Sequence, residues 1–155
     1  MNNKNRLFEV FEKVNGIKLT KVVEVKPTMI NETFLGFNEK DGIIEDFLQF
    51  ADKELKLNGD LPEINKIDEE GAAKENKSFG GYYPDLKKID FVVKNRNLAD
   101  SLRSLAHELV HHKQNLENRL EVNSGETGSD IENEANSTAG ILMRKYGKIN
   151  PNIFE

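Results

Sequence analysis

The chain has 155 residues, about the size of one domain that can bury a single hydrophobic core. Its 22 basic and 27 acidic residues give a formal net charge of -5, so it lacks the basic field that broad nucleic-acid binding requires. It contains no cysteine, which excludes disulfides, thiolate-bound zinc, iron–sulfur clusters and a thiol nucleophile. Any metal ion must therefore be bound by histidine, aspartate and glutamate.

The N-terminus carries no apolar run of the length that a signal peptide or a membrane-spanning helix needs. We therefore expect a soluble protein that stays in the compartment where it is made, the cytoplasm. We expect neither a membrane nor a nucleic acid among its partners.

Two helices are predicted in the first sixty residues. Residues 5–15 carry apolar side chains at helical spacing and end at Asn15-Gly16, a pair typical of a helix C-terminus. Residues 43–55 repeat the pattern with a longer apolar stripe, which ends near Asn58-Gly59. The apolar residues at helical spacing are Leu7, Phe8, Phe11 and Val14 in the first helix, and Ile43, Ile44, Phe47, Leu48, Ala51 and Leu55 in the second.

A small sheet is predicted next. Residues 61–68 are predicted to form a short strand, and residues 69–78 a polar loop. Residues 79–94 have the pattern of a hairpin, with Pro84-Asp85 at its turn and β-branched and aromatic residues in its second arm.

Two stronger helices are predicted to follow the sheet. The first covers residues 98–116 with Asn97 as N-cap, and the second covers residues 130–146 and ends at Gly147. Two helices, a small sheet and two more helices indicate the α+β class. The predicted core faces are Leu98, Leu102, Leu105, Leu109 and Leu116 on the first, and Ile131, Ala135, Thr138, Ala139 and Leu142 on the second.

All three histidines of the chain fall within six residues, at His107, His111 and His112. Residues 107–111 form an HExxH sequence on the side of the predicted helix opposite its leucine stripe. Residues four apart share one helical face, so both imidazoles can bind one Zn²⁺ while Glu108 acts as general base on the metal-bound water. In the alternative interpretation these are ordinary solvated helix residues. His112 lies about 100° around the helix, off the metal face, so we expect it at the surface or behind the ligands.

A catalytic zinc site also needs a third protein ligand and an open position for water. The last predicted helix offers Glu132, nearer the expected helix–helix interface, and Glu134 on the other side of the apolar face. We prefer Glu132 and keep Glu134 as the alternative, since Ser129 and Glu132 also form a capping-box pattern that would use this carboxylate. Asn136 could hydrogen-bond a metal-binding histidine or be a solvated amide.

These residues resemble a known family. Residues 105–112 (LAHELVHH) and 132–136 (ENEAN) are similar to the minimal gluzincin metallopeptidases, to the ImmA/IrrE-like proteins and especially to small zincin-like metallopeptidases encoded by tailed bacteriophages. Residues 80–83 (GGYY), residues 95–97 (NRN) and the helix start at Asp100 also resemble the phage group. The resemblance therefore covers residues 61–146 and not the first sixty.

The chain length predicts a single domain over residues 1–155, and the resemblance of residues 61–146 implies that it is zincin-like. Its parts would be an N-terminal helical part (1–60), a metallopeptidase core (61–146) and a tail (147–155). The resemblance also implies a small mixed sheet whose edge strand receives an extended peptide or protein substrate, followed by the HExxH helix and a third-ligand helix.

For the site, the resemblance implies one zinc ion and a third-ligand motif of the form Glu-x-x-Ala-Asp/Asn. That motif favours Glu132 and places Asn136 where many gluzincins have aspartate.

A zinc peptidase also needs a donor for the developing oxyanion. A residue of each of these types is more often a packing or surface residue, and the sequence does not rank the candidates. The candidates are Tyr82, Tyr83, Arg96, Arg103 and Tyr146.

The leading hypothesis is therefore a zinc-dependent metallopeptidase of phage type that hydrolyses peptide bonds with Glu108 as general base. The alternative is a non-catalytic protein on the same scaffold, a virion component or a protein-binding regulator, with residues 121–129 as an interaction surface. A closed structural metal site is weaker, because it has no use for Glu108. A phage-encoded protein would lie in the host cytoplasm, with virion association as the alternative.

Overall fold

The computed structural model describes residues 6–14, 17–25, 39–69, 79–121 and 124–155, the first two segments through their backbone. The chain divides into two compact units, Met1–Gly42 and Ile43–Glu155. A single domain over the whole chain stays a prediction. No helix in the described segments combines the length and the apolar character needed to cross a bilayer.

The first unit contains an antiparallel hairpin in which β1 (Arg6–Val14) pairs with β2 (Ile17–Val25) along its whole length. The helix predicted for residues 5–15 is therefore wrong. An Asn-Gly pair, interpreted as a helix cap, is also the preferred two-residue connection of a β-hairpin. Apolar residues recur at every second position through most of residues 17–25, which is the period of a strand. The N-terminal part is thus not purely helical.

The second unit contains the remaining strands and the helices. Their order matches the prediction for residues 43–146, and the polar loop predicted at residues 69–78 lies almost wholly outside the described residues. The elements are α1 (Glu39–Leu55, in this unit from Ile43 on), β3 (Glu63–Ile67), β4 (Gly80–Tyr83), β5 (Lys88–Val92), α2 (Leu98–Leu116) and α3 (Asp130–Ile149), with 3₁₀ turns at Pro84–Leu86 and Pro151–Phe154.

The three-stranded sheet is mixed, with β5 in its centre. β3 runs parallel to β5, with Glu63 opposite Lys88, whereas β4 runs antiparallel to β5, with Gly80 opposite Phe91. The predicted strand and hairpin are therefore confirmed, as is the α+β class. Because β4 is an edge of this sheet, one side of its backbone faces away from β5.

The core of the second unit lies between the sheet and the three helices. In the predicted leucine stripe of α2 the three central leucines are buried and the two end ones, Leu98 and Leu116, are partly buried. Tyr146 of α3 packs edge-on against Phe47 of α1 with ring centroids 5.0 Å apart. Each large apolar side chain buried in this way contributes about 1.5–3 kcal/mol, so this core holds α2 in place against its neighbours. The buried side chains include Phe47, Ile89, Phe91, Leu102, Leu105, Leu109, Ala135, Ala139, Leu142 and Tyr146.

Both long helices have the predicted N-caps. Asn97 Oδ1 accepts a hydrogen bond from the Asp100 amide at 2.8 Å, and Ser129 Oγ accepts one from the Glu132 amide at 3.2 Å. α3 runs to Ile149, however, past the end predicted at Gly147. A Cβ on Gly147 would lie 2.5 Å from Phe154 Cε2, so this glycine makes room for the C-terminal turn instead of capping the helix.

Candidate metal centre

The structure brings the three predicted metal ligands together. His107 and His111 lie one turn apart on α2 with their Nε2 atoms 3.0 Å apart. Glu132 of α3 reaches both, with Oε2 3.3 Å from His107 Nε2 and Oε1 3.1 Å from His111 Nε2. These three residues form a group that could hold a metal ion.

The spacing of the donor atoms suits a zinc ion. Tetrahedral coordination with bonds of about 2.0–2.1 Å places neighbouring donor atoms about 3.3 Å apart. The observed separations of 3.0, 3.1 and 3.3 Å are close to that value. Two imidazoles and one carboxylate could supply three of the four ligands of a tetrahedral ion.

Gln114 orients His111 for this role. Gln114 is completely buried; its Nε2 donates to the Ile131 carbonyl at 3.1 Å, and its Oε1 lies 2.8 Å from His111 Nδ1. His111 Nδ1–H must therefore donate to Gln114, and Nε2 is the ring nitrogen that faces Glu132. Sequence reasoning assigned Gln114 no role, although its spacing of three residues from His111 places the two on one helical face.

His107 is held differently. Burial, together with the nearby His111, lowers the pKa of His107, and this is partly offset by Glu132 and by a hydrogen bond with Asn136. Asn136 of α3 also lines a cavity with His107, and its role in holding this histidine stays a prediction. A lowered pKa keeps the imidazole neutral, the form that binds a metal.

Glu134, the alternative ligand, points elsewhere. Its carboxylate forms an ion pair with Arg119, which also bonds Glu117, and this pairing lowers the pKa of Glu134. The Glu132 carboxylate, in contrast, does not close the predicted capping box, because the Ser129 amide donates to the Glu126 carbonyl at 3.0 Å. Glu132 is thus free to face the histidines.

The expectation that His112 could lie at the surface is wrong, because its side chain is completely buried. Its Nε2 donates to the Asp60 carbonyl at 2.6 Å, and its Nδ1 accepts from the Tyr82 hydroxyl at 3.0 Å. That hydroxyl in turn accepts from Asn115 Nδ2 at 2.8 Å. The network ties α2 to the edge strand β4 and occupies the Tyr82 hydroxyl, so Tyr82 does not fit the role of oxyanion donor.

The other candidate oxyanion donors lie in different surroundings. Tyr146 is buried in the core with its hydroxyl 2.7 Å from Asp46 Oδ2, because its helical register with Ala135, Ala139 and Leu142 places it on the core face. Tyr146 is therefore wrong as a site residue.

Tyr83 and the two arginines remain to be placed. Tyr83 is about half exposed and lines a separate hollow with Asp90. Arg96 donates hydrogen bonds to the carbonyls of Val92 and Asp100 and to Ser104 Oγ, so its guanidinium stabilises the start of α2. Arg103 lines a cavity beside the metal ligands.

Glu108 lies beside the ligands, buried against the edge strand. Burial, together with the nearby Glu132 carboxylate, raises the pKa of Glu108 to about 7. Glu108 and the three ligands line one cavity of about 300 Å³, whose other walls are β4 and the loop after α2. A buried carboxylate with a raised pKa therefore lines the same cavity as the group that could hold a metal ion.

The raised pKa of Glu108 predicts a pH-dependent stability in the chelator-treated protein. The folded state holds this proton more tightly than the unfolded state, so the stabilising effect is complete below about pH 4.5 and is lost as the pH rises to about 7. Relative to a Glu108→Gln variant, we expect the free energy of unfolding to fall by about 3 kcal/mol across this window. Urea denaturation of both proteins at several pH values measures the difference, and parallel pH profiles would contradict it.

Comparisons of the chain with protein-family models, with curated proteins and with solved structures find no match. Membership of the gluzincins and the zincin-like fold therefore stay predictions. The structure establishes an α+β architecture with a three-stranded mixed sheet and a His107, His111 and Glu132 group able to hold a metal ion.

Proposed function

We propose that this protein is a zinc-dependent metallopeptidase with Glu108 as its general base. One observation carries the proposal: a buried glutamate adjoins a two-histidine, one-glutamate set whose donor atoms are spaced for a single zinc ion. A closed structural site would have no use for Glu108, and here this carboxylate lines the same cavity as the ligands.

His107, His111 and Glu132 would hold the ion, and Gln114 and Asn136 would keep the two imidazoles in place. Zinc bound at such a site lowers the pKa of water to about 7 and polarises a carbonyl group. The Glu108 carboxylate would accept the proton of the attacking water and pass it to the leaving amine. General acid–base catalysis of this kind contributes about 10²–10⁴-fold in rate.

The edge strand supports a peptide as the substrate. Gly80, Gly81 and Tyr82 of β4 line the cavity beside the ligands, while β4 pairs on its other side with β5. An extended peptide can add to such an edge through main-chain hydrogen bonds, which places a backbone carbonyl next to the metal ligands.

The test is metal analysis of the purified full chain, followed by a broad peptide library. We expect one zinc ion per chain, cleavage of peptides, loss of cleavage after chelation and its return on adding zinc. Failure to bind zinc, or a zinc-loaded protein that cleaves no peptide, would contradict the proposal and favour the non-catalytic alternative.

Gly80 offers a test of how Glu108 is positioned. A Cβ at this residue would lie 3.1 Å from Glu108 Oε1, whereas a Cβ at the neighbouring Gly81 would meet no atom within 4 Å. Gly80→Ala should therefore displace the Glu108 carboxylate and lower kcat by about tenfold, and Gly81→Ala should change kcat little. Steady-state kinetics of the two variants measure this. Equal effects would contradict the assigned contact.

A further inference from the structure

A second cavity of about 280 Å³ adjoins the metal centre on the side of the N-terminal half of α2. It shares part of its wall with the first cavity, so a substrate bound at the metal could extend into it. The shared residues are Gly80, His107 and Glu108.

Arg103 supplies a positive charge to this second cavity. Its side chain is exposed and forms no ion pair or side-chain hydrogen bond with any residue that the structure describes. The nearby Arg96 differs, because its guanidinium donates to Val92, Asp100 and Ser104 and stacks over Phe79 at 4.3 Å. The guanidinium N–H groups of Arg103 are thus available to donate hydrogen bonds to a ligand in this cavity.

The position of Arg103 on α2 sets its distance from the reacting centre. Arg103 and His107 are four residues apart and share one helical face. Helical side chains lean toward the N-terminus, so the guanidinium extends away from His107. Arg103 accordingly also borders a hollow with Asn97 and Asp100, near the start of α2. The positive charge of Arg103 therefore lies at a distance from the metal ligands. It would contact a part of the substrate next to the scissile bond instead of the oxyanion.

We propose that Arg103 forms a subsite that binds a carboxylate of the substrate next to the scissile bond. The guanidinium fork matches a carboxylate with two parallel hydrogen bonds, and the half-exposed Phe79 ring forms an apolar wall for the attached carbon chain. The inference rests on the proposed peptidase function. It narrows the substrate class to peptides that carry a glutamate or aspartate side chain, or a free C-terminal carboxylate, close to the cleaved bond.

Binding to the full-length, zinc-loaded Glu108→Gln chain tests this subsite without turnover. The probes are blocked alanine-based hexapeptides with one glutamate at each position in turn, the same series with glutamine, and an alanine hexapeptide with a free or an amidated C-terminus. We expect one glutamate position, or the free C-terminus, to bind about tenfold more tightly than its neutral counterpart. The position of that preference distinguishes a side-chain carboxylate from a terminal one.

Variants assign the preference to Arg103. In the same background, Arg103→Gln should abolish it, and Arg103→Lys should retain only part of it because lysine lacks the planar fork. Arg144→Gln is the matched control, since it removes an exposed arginine of α3 that lines neither cavity. Circular dichroism checks that each variant is folded.

The outcomes separate the two proposals. If wild-type protein cleaves none of the peptides while the glutamate preference depends on Arg103, the peptidase proposal fails and the carboxylate subsite stands. Cleavage without any carboxylate preference, or a preference that survives Arg103→Gln, overturns the subsite. Absence of binding by every carboxylate-bearing peptide also overturns it.

Discussion

Glu108→Gln should abolish peptide hydrolysis while the protein keeps its zinc. Glutamine has the same shape but cannot accept a proton, so we expect kcat to fall by about 10²–10⁴-fold, the usual contribution of a general base. The ligands His107, His111 and Glu132 are unchanged, so zinc content should be unaffected. Steady-state kinetics together with metal analysis of the same preparation measure both quantities.

Unfolding of the Glu108→Gln variant would not explain a loss of peptide hydrolysis. Replacing a buried carboxylate whose pKa is raised to about 7 by a neutral amide removes the cost of burying a charge above that pH. The metal-free variant should therefore be at least as stable as the metal-free wild type at pH 8. Glu45→Gln, an exposed change on α1, is the matched control and should retain full activity. A Glu108→Gln protein with undiminished kcat would rule out the assigned base.

Glu132→Gln should weaken zinc binding far more than Glu134→Gln does. Glu132 faces both imidazoles at 3.1 and 3.3 Å, whereas Glu134 is engaged by Arg119. Removing one anionic ligand from a set of three should raise the zinc Kd on the order of 100-fold or more, since outer hydrogen-bond partners alone account for about 10–100-fold. Competition with a chromogenic chelator measures the Kd of each variant.

Glu134→Gln is the matched control for that experiment, because it makes the same chemical change two residues away on the same helix. Its zinc Kd should stay close to that of the wild type. The reverse order of the two variants would make Glu134 the ligand. Equal, small effects would show that the carboxylate contributes little to metal binding.

Features that depend on one helix alone were predictable. The bounds of α2 and its cap at Asn97 follow from the leucine spacing and one preceding asparagine. The pairing of His107 with His111 follows from the helical repeat. These signals depend only on residues close in sequence, so they do not depend on the tertiary structure.

The first strand was missed because its local signals are ambiguous. Five apolar residues in nine positions fit a helix and a strand about equally well, and Asn15-Gly16 is found both after helices and between hairpin strands. The pairing of β1 with β2 resolves this, because hydrogen bonds between two segments favour the extended form over either segment's own preference. The role of Gly147 was missed for a similar reason. The ring that leaves no room for a Cβ at this position belongs to Phe154, which lies beyond the helix.

Composition and spacing were enough to restrict the metal donors to histidine and carboxylate and to place two of them one turn apart on α2. Which carboxylate joins the two histidines depends on how α3 is rotated against α2, which turns Glu132 inward and leaves Glu134 paired with Arg119. The roles of Gln114 and His112 depend in the same way on Ile131, Asp60 and Tyr82, which are distant in sequence. The helical repeat relates residues four apart, so it can be read from the sequence alone. The contacts of Glu132, Gln114 and His112 form only when elements distant in sequence pack together.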